Sequence, residues 1–387
     1  MKILYDHQAF TFQYFGGVSK SFCELISHLP TDVVPEIGIV ESNNIHLQNS
    51  KLCPNLSPVS IDIQTFLKKY KFRGCGRLYA LATKYLNIPN TENKNKNRSL
   101  ELLKLGDFDI FHPTFFDDYY LPYLGGKPFV LTIHDMMPEL FPEYFRKNDM
   151  QILAKRKLVN KAAAIVAVSE QTKKDIIDIL NVSPDKIHVI YHGGPLIEDL
   201  KGNIPFQFPY FLYVGQRDAY KNFNQLLSEF AIFIANHKDV KLVCTGPTFT
   251  RHENLIIEHY KIKENIVHVQ VSDNELKSLY ANALAFIYPS MYEGFGMPIL
   301  EAYAYGCPVL LNNRSCFPEI AGDAAMYFES NSIDSNLSKT LHLFYHMSLL
   351  ERQTLIEKGY QRLSTFSWNK SANQLQSVYE SVLKSVK

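Results

Sequence analysis

Residues 285–301 read AFIYPSMYEGFGMPILE. The first part, Ala285–Pro289, is apolar without alternation, which suits a strand covered on both faces within a parallel sheet. A glycine-containing turn follows. Pro298 then suits the first turn of a helix, where its missing N–H would have no partner in any case. Strand, turn and helix in this order make one unit of a doubly wound α/β fold, whose ligands bind beyond the carboxyl ends of the strands. The turn carries chemistry as well. Glu293 and Glu301 flank Gly294, Phe295, Gly296 and Met297, with Glu301 expected in the first helical turn. Carboxylates accept hydrogen bonds from sugar and ribose hydroxyls, and N–H groups at a helix start attract an anion.

The same unit recurs on both sides of this stretch. Apolar runs at Lys2–Asp6, Phe108–His112, Phe129–His134, Ala164–Ser169 and Ile187–His192 predict strands in the first half. Tyr210–Gly215, Lys241–Gly246, Ile266–Val271 and Pro308–Asn312 join Ala285–Pro289 in the second. Ser272-Asp273-Asn274-Glu275 is a capping box, its serine and glutamate each placed to satisfy an N–H at the start of a helix. Two successive sets of alternating strands and helices imply two Rossmann-like domains. Glycine and proline cluster in Gly193–Pro209, so the expected division is 1–200, 205–365 and a terminal segment 366–387.

Composition narrows the class. The chain has 387 residues, 46% hydrophobic and 20% charged, with a formal net charge of +1. That is a globular chain of two domains with no global field to attract nucleic acid. Six cysteines without a CxxC pair suggest reduced thiols in a cytoplasmic setting rather than a disulfide scaffold or zinc site. Met1–Asp6 is too soon polar for a signal peptide, and no apolar run approaches the length of a membrane span.

Three further stretches follow strands directly. Gly16-Gly17 precedes the helical pattern Val18–Leu29, and glycines there let backbone approach a ligand. No GxGxxG fingerprint is present, which disfavours a nicotinamide oxidoreductase. His134-Asp135 ends a strand, with no accompanying cluster at metal-ligand spacing, so His134 is read as a hydrogen-bonding group. Arg217 and Lys221 share one loop before a helix, and two fixed cations match the charge of a pyrophosphate. The segment 68–104 is rich in lysine and arginine, with Tyr70, Phe72, Tyr79 and Tyr85 interleaved. It reads as a surface insertion with a polar tip at Asn93–Asn97, or as a basic face for anionic lipid. Phe12–Phe15 and Phe115–Tyr120 fit packing or stacking on acceptor sugars.

The Glu-x7-Glu pattern of EGFGMPILE resembles that of family-4 retaining glycosyltransferases. Tyr213–Asn222, Ser272–Ala283, Pro289–Ala302, Gly306–Asn312 and Pro318–Ala325 follow that family's pattern in order. Gly16-Gly17-Val18-Ser19 and Thr132–Asp135 support it in the first half. The resemblance implies a GT-B fold, with two Rossmann-like domains facing across a cleft and a terminal helix, Phe366–Leu383, crossing back. It implies that Glu293 contacts the transferred sugar, Glu301 the ribose, and Arg217 and Lys221 the diphosphate. Backbone contacts would come from Gly294 through Met297, and Gly16 and Gly17 would meet phosphate or acceptor. His134 would stand near the reacting carbon. The family often has Arg-Lys-Asn where this chain has Tyr220-Lys221-Asn222, which shifts the arginine's expected role to Arg217. A hexose passed with retention from a nucleotide sugar to a saccharide or lipid-linked acceptor is the implied reaction, in bacterial polysaccharide or glycolipid assembly. GDP-mannose is the first donor expected, with UDP- and dTDP-sugars next. No cofactor or metal is expected. A sugar-nucleotide epimerase and a non-catalytic saccharide-binding protein remain as alternatives.

Overall fold

The computed structural model describes residues 1–59, 77–78, 81, 90–145, 150–198, 206–217, 219–330 and 335–386. Most of the basic segment, including Tyr70, Phe72, Tyr79 and Tyr85, lies outside the described residues, as do Cys75, Asp218 and 199–205 of the linker.

Two parallel sheets organise the chain. The first is built from β1 (Lys2–Tyr5), β2 (Val34–Ile37), β3 (Ile110–His112), β4 (Val130–Ile133), β5 (Ala164–Ala167) and β6 (Ile187–Val189). β2-β1-β3 and β4-β5-β6 form two three-stranded sheets, and a parallel bridge between Phe111 and Phe129 joins them in the spatial order 2-1-3-4-5-6. The second holds β7 (Tyr210–Tyr213), β8 (Lys241–Cys244), β9 (Ile266–His268), β10 (Phe286–Tyr288), β11 (Val309–Asn312) and β12 (Ala325–Phe328), ordered β12-β11-β10-β7-β8-β9. Every ladder among the described residues is parallel. The sequence runs miss β2 and β12 for one reason. Both are edge strands, only partly covered, and neither needs a continuous apolar run; β2 carries Pro35 and Glu36, which an edge tolerates.

The strand orders decide where ligands can sit. Chain direction across the sheet reverses between β1 and β3 in the first half, and between β7 and β10 in the second. Loops leaving strands on either side of such a reversal diverge and open a crevice at their carboxyl ends. The loop after β1 carries Gly16-Gly17. Those after β7 and β10 carry Lys221 and Glu293.

The helix Trp368–Val386 crosses back, burying Leu375, Val378, Tyr379 and Val382 against Ile3, Tyr5 and Phe22. The Tyr379 hydroxyl meets that of Tyr5 at 2.8 Å and His112 Nδ1 at 2.6 Å, while His112 Nε2 reaches Thr132 Oγ1 at 2.8 Å. Gly193 and Gly194 make room for this crossing. A Cβ on Gly193 would lie 2.3 Å from the Trp368 nitrogen, and one on Gly194 would lie 2.2 Å from Leu363 Cδ1.

Asn93–Asn97 is not a surface tip. It lies in the helix Thr91–Leu105, capped by the Asn90 side chain. Asn95 is buried there, accepting from the Val40 and Glu41 N–H groups and donating to Thr11 Oγ1 and the Glu41 carbonyl. Asparagine favours loops when it must satisfy itself locally; here distant partners remove that need.

Candidate active site

A cavity of ≈ 550 Å³ opens between the two halves. Phe15, Gly16, Gly17 and Lys20 line it from the first half. Val214–Gln216, Tyr220, Lys221, Met297, Pro298 and Glu301 line it from the second. Gly16 is the N-cap of the helix Gly17–Ser27, so that helix start faces the cavity. A Cβ on Gly17 would meet nothing within 4 Å, whereas one on Gly16 would strike the Gln13 carboxamide at 2.4 Å. Gln13 is itself fixed, accepting from the Ser19 N–H at 2.9 Å. The glycine pair therefore shapes the loop and leaves its N–H groups approachable.

Lys20, one turn along this helix, reaches Glu301 Oε1 at 2.7 Å. Burial alone would lower the Lys20 pKa, but the Glu301 carboxylate outweighs it and holds the value above that of an ordinary lysine. Glu301 lies in the helix Met297–Ala304, in its second turn rather than the expected first. Pro298 occupies the first turn, as its chemistry predicts.

Lys221 lines the cavity and holds Glu293, Nζ to Oε1 at 2.6 Å, with both side chains largely buried. Glu293 stands behind Lys221 rather than in the cavity wall. Its backbone is fixed by Ser315, whose hydroxyl donates to the Glu293 carbonyl at 2.7 Å. The Tyr288 hydroxyl also faces this carboxylate. Burial first, and then the charge of Glu293, keep the tyrosine protonated.

Arg217 does not reach the cavity, which corrects the expectation drawn from loop position. Its Nε donates to Glu253 at 2.7 Å, Nη1 to the Thr245 carbonyl at 3.2 Å, and Nη2 to the Pro247 carbonyl. The guanidinium sits over the Phe223 and Phe249 rings, at 5.4 and 4.8 Å. A planar group with five donors is well suited to such a pocket, and with its side chain 4% exposed it holds loops together. Beside Lys221, the cavity is lined by Lys20 from the first half and Lys277 from the second.

The turn between the two glutamates also behaves differently from the expectation. Gly294, Phe295 and Gly296 are absent from the cavity wall, and Met297 alone of the four lines it. Gly294 is where the halves touch. A Cβ there would lie 1.7 Å from the His134 carbonyl oxygen, and the Gly294 carbonyl accepts from Ser169 Oγ at 2.7 Å. Phe295 is buried against His192 at 4.8 Å. Gly296, at φ +88°, is the left-handed N-cap that starts the next helix. The same interface holds Tyr292 against Asp175 at 2.6 Å. It also turns Glu319 toward the N–H groups of Glu170 and Gln171 at the start of the helix Glu170–Leu180.

His134 sits at this interface, stacked on His192 at 5.9 Å and edge-on to Phe22 at 5.8 Å. Burial lowers its pKa to about 4, so the ring is neutral at neutral pH. Its Nε2 is buried without a hydrogen-bond partner. A buried imidazole nitrogen without a partner carries a desolvation cost.

The sequence reading missed Lys20 and the tyrosines Tyr220, Tyr280, Tyr288 and Tyr305 that complete the wall. Lys20 had a usable signal: a residue three positions past Gly17 on a helix shares the face of that helix's exposed start. A second cavity of ≈ 470 Å³ lies on the first half, lined by Phe12, Phe115, Phe116, Asp117, Asp118 and Lys157 among others. Among the described residues, no metal-ligating group of three lies at either cavity.

Two family models lie end to end along the chain. The first, Glycosyltransferase Family 4, matches residues 81–195, and the second, Glycosyl transferases group 1, matches 198–362. The chain is a glycosyltransferase of GT-B architecture. This glycosyltransferase is 29% identical over 279 residues to the O-antigen chain mannosyltransferase B of Escherichia coli, covering 68% of this chain and 72% of the relative. It is 27% identical over 308 residues to the MMP alpha-(1->4)-mannosyltransferase of Mycolicibacterium hassiacum, covering 73% and 72%. Among solved structures, the sucrose-phosphate synthase of Thermosynechococcus elongatus superposes with a TM-score of 0.71 over 100% of both chains at 16% identity. Anabaena Alr3699/HepE in complex with UDP and glucose gives 0.68 over 98% of this glycosyltransferase and 100% of that chain, at 14% identity. These likenesses carry the fold. No helix among the described residues is long and apolar enough to cross a membrane.

Proposed function

We propose that this glycosyltransferase moves a hexose, with retention, from a nucleoside diphosphate sugar to an acceptor hydroxyl in polysaccharide or glycolipid assembly, with GDP-mannose as the first donor. One observation carries the reading: one cavity gathers a helix start, lysines and carboxylates from both halves, Lys20, Lys221 and Glu301 among them. That is the complement of a pyrophosphate joined to a ribose. The mannosyltransferase names of the sequence relatives support the choice of sugar and of setting.

In the proposed reaction the bond between the anomeric carbon and the diphosphate oxygen breaks as the acceptor oxygen attacks from the same face. The departing diphosphate takes the acceptor's proton. Lys221, Lys20 and the N–H groups at Gly17 stabilise the charge that develops on it, while Glu301 accepts from the ribose. In this reading the lysine ammonium groups and the helix start face the diphosphate in place of a divalent metal. Glu293 orients Lys221 from behind the cavity wall, and in the same reading the orphaned Nε2 of neutral His134 bonds a sugar hydroxyl. The aromatic cavity of Phe12, Phe115 and Phe116 offers apolar faces for the acceptor.

The test is transfer of labelled sugar from GDP-mannose, UDP-glucose and dTDP-sugars to a panel of saccharide and lipid-linked acceptors, with and without EDTA. Acceptor-dependent transfer of mannose with the anomeric configuration kept, undiminished by EDTA, is expected. Formation of a new nucleotide sugar without acceptor, or loss of activity in EDTA restored by manganese, overturns the proposal.

A further inference from the structure

We propose that His237, His342 and His346 form a zinc-binding site on the outer side of the second half, separate from the cleft. The three lie on or just beyond the ends of two helices that pack together. His342 is in the helix Leu337–Tyr345 and His346 is its C-cap, so their four-residue spacing puts both rings on one face. His237 follows the helix Phe223–Ile234 and its N–H bonds the Ile234 carbonyl at 3.1 Å. One ring nitrogen from each histidine lies within 4.8 Å of the others, and His237 Nε2 is 3.2 Å from His342 Nδ1. Two imidazole nitrogens bound to one tetrahedral zinc at about 2.0–2.1 Å stand about 3.3 Å apart. The closest pair already has that separation.

The support beneath is rigid. Phe230, Phe233 and Ile234 of one helix pack with Leu337, Leu341 and Phe344 of the other. The His237 ring stacks on Phe233 at 4.5 Å and lies 4.6 Å from Tyr345, which fixes its plane. His342 and His346 are exposed, so their rings can complete the geometry by small rotations about the side chain. Three imidazoles and an open fourth position for water suit zinc, and also cobalt or nickel, better than the oxygen-seeking magnesium or calcium.

The site is remote from the chemistry. The helix Phe223–Ile234 begins beside Lys221 at the cleft and carries the chain about 18 Å away before His237 is reached. Zinc there ties the far ends of two helices together and takes no part in sugar transfer. Because zinc would bind the folded chain and not the unfolded one, it would raise thermal stability by mass action.

Calorimetric titration of zinc chloride into the untagged, EDTA-treated full chain tests this, alongside His342→Gln/His346→Gln and the absorption spectrum with cobalt. One zinc per chain, a cobalt spectrum of tetrahedral intensity, and at least roughly tenfold weaker binding in the double variant are expected. The melting temperature of the metal-free variant should equal that of the metal-free parent, since both replaced rings are exposed. Zinc binding of unchanged strength in the double variant, or none in the parent below about 100 µM zinc, overturns the site.

Discussion

Lys20 and Glu301 join the two halves of the molecule: the ammonium of one lies 2.7 Å from the carboxylate of the other, at the edge of the cavity. The pair gives the cleft a cation from the half that the sequence patterns describe least. On the proposed reading, Lys20 stands where an arginine of the β7 loop was expected to work.

Lys20→Met should weaken nucleotide-diphosphate binding about 10- to 100-fold, since a charge-assisted contact contributes roughly 1.5–3 kcal/mol. Fluorescence or calorimetric titration of GDP reads it directly. An unchanged dissociation constant would show that Lys20 serves only to hold Glu301.

Arg217→Ala should act on stability. It leaves Glu253 buried without its cation and frees two backbone carbonyls, a loss of about 3–5 kcal/mol. Urea unfolding should show it. The fraction that remains folded should bind nucleotide with the parent's affinity. Full stability with weakened binding would return Arg217 to the cleft.

Gly294→Ala should block closure of the halves, because its methyl would fall 1.7 Å from the His134 carbonyl oxygen. Turnover should drop by at least about 100-fold, the scale of a small misplacement of reacting groups, while nucleotide still binds the second half. Small-angle scattering should report a more extended molecule. Parent-like turnover would mean that the contact between Gly294 and His134 is not part of the active arrangement.

Three histidines with strongly lowered pKa values set the acid limit. Burial holds His134 at about 4 and His112 and His192 at about 3, against an ordinary value near 6.5. The unfolded chain therefore takes up these protons first. Their contribution is complete above pH 6.5 and is lost as pH falls toward 4 and then 3. The urea midpoint should be lower at pH 5.0 than at pH 7.5, in a range where most carboxylates remain ionised. Equal midpoints would mean that these imidazoles are charged in the folded protein.

Much of the fold was legible because parallel strands covered on both faces need unbroken apolar runs, as at Tyr210–Tyr213 and Phe286–Tyr288. Edge strands carry no such demand, and Val34–Ile37 and Ala325–Phe328 went unseen. Within the site, Gly16, Gly17, Lys221, Met297 and Glu301 were found at the cavity because loops after switch-point strands converge there. Arg217 misled because loop position says which crevice a residue is near, not which way its side chain turns. Its partners, Glu253 and the carbonyls of Thr245 and Pro247, are distant in sequence. Gly294 reads as an anion-binding glycine, yet what demands it is a backbone oxygen in the other half of the chain.

The central claim is that one cleft grips a nucleotide sugar through Lys221 and Glu301. Calorimetric titration of GDP-mannose and GDP into the parent, Lys221→Ala and Glu301→Ala tests it most directly, with melting curves run on each to confirm folding. Both variants should stay folded and bind at least about tenfold more weakly than the parent, Lys221→Ala by losing diphosphate contact and Glu301→Ala by losing ribose contact. Parent-like affinity for every nucleotide sugar tried, in both folded variants, would contradict the account.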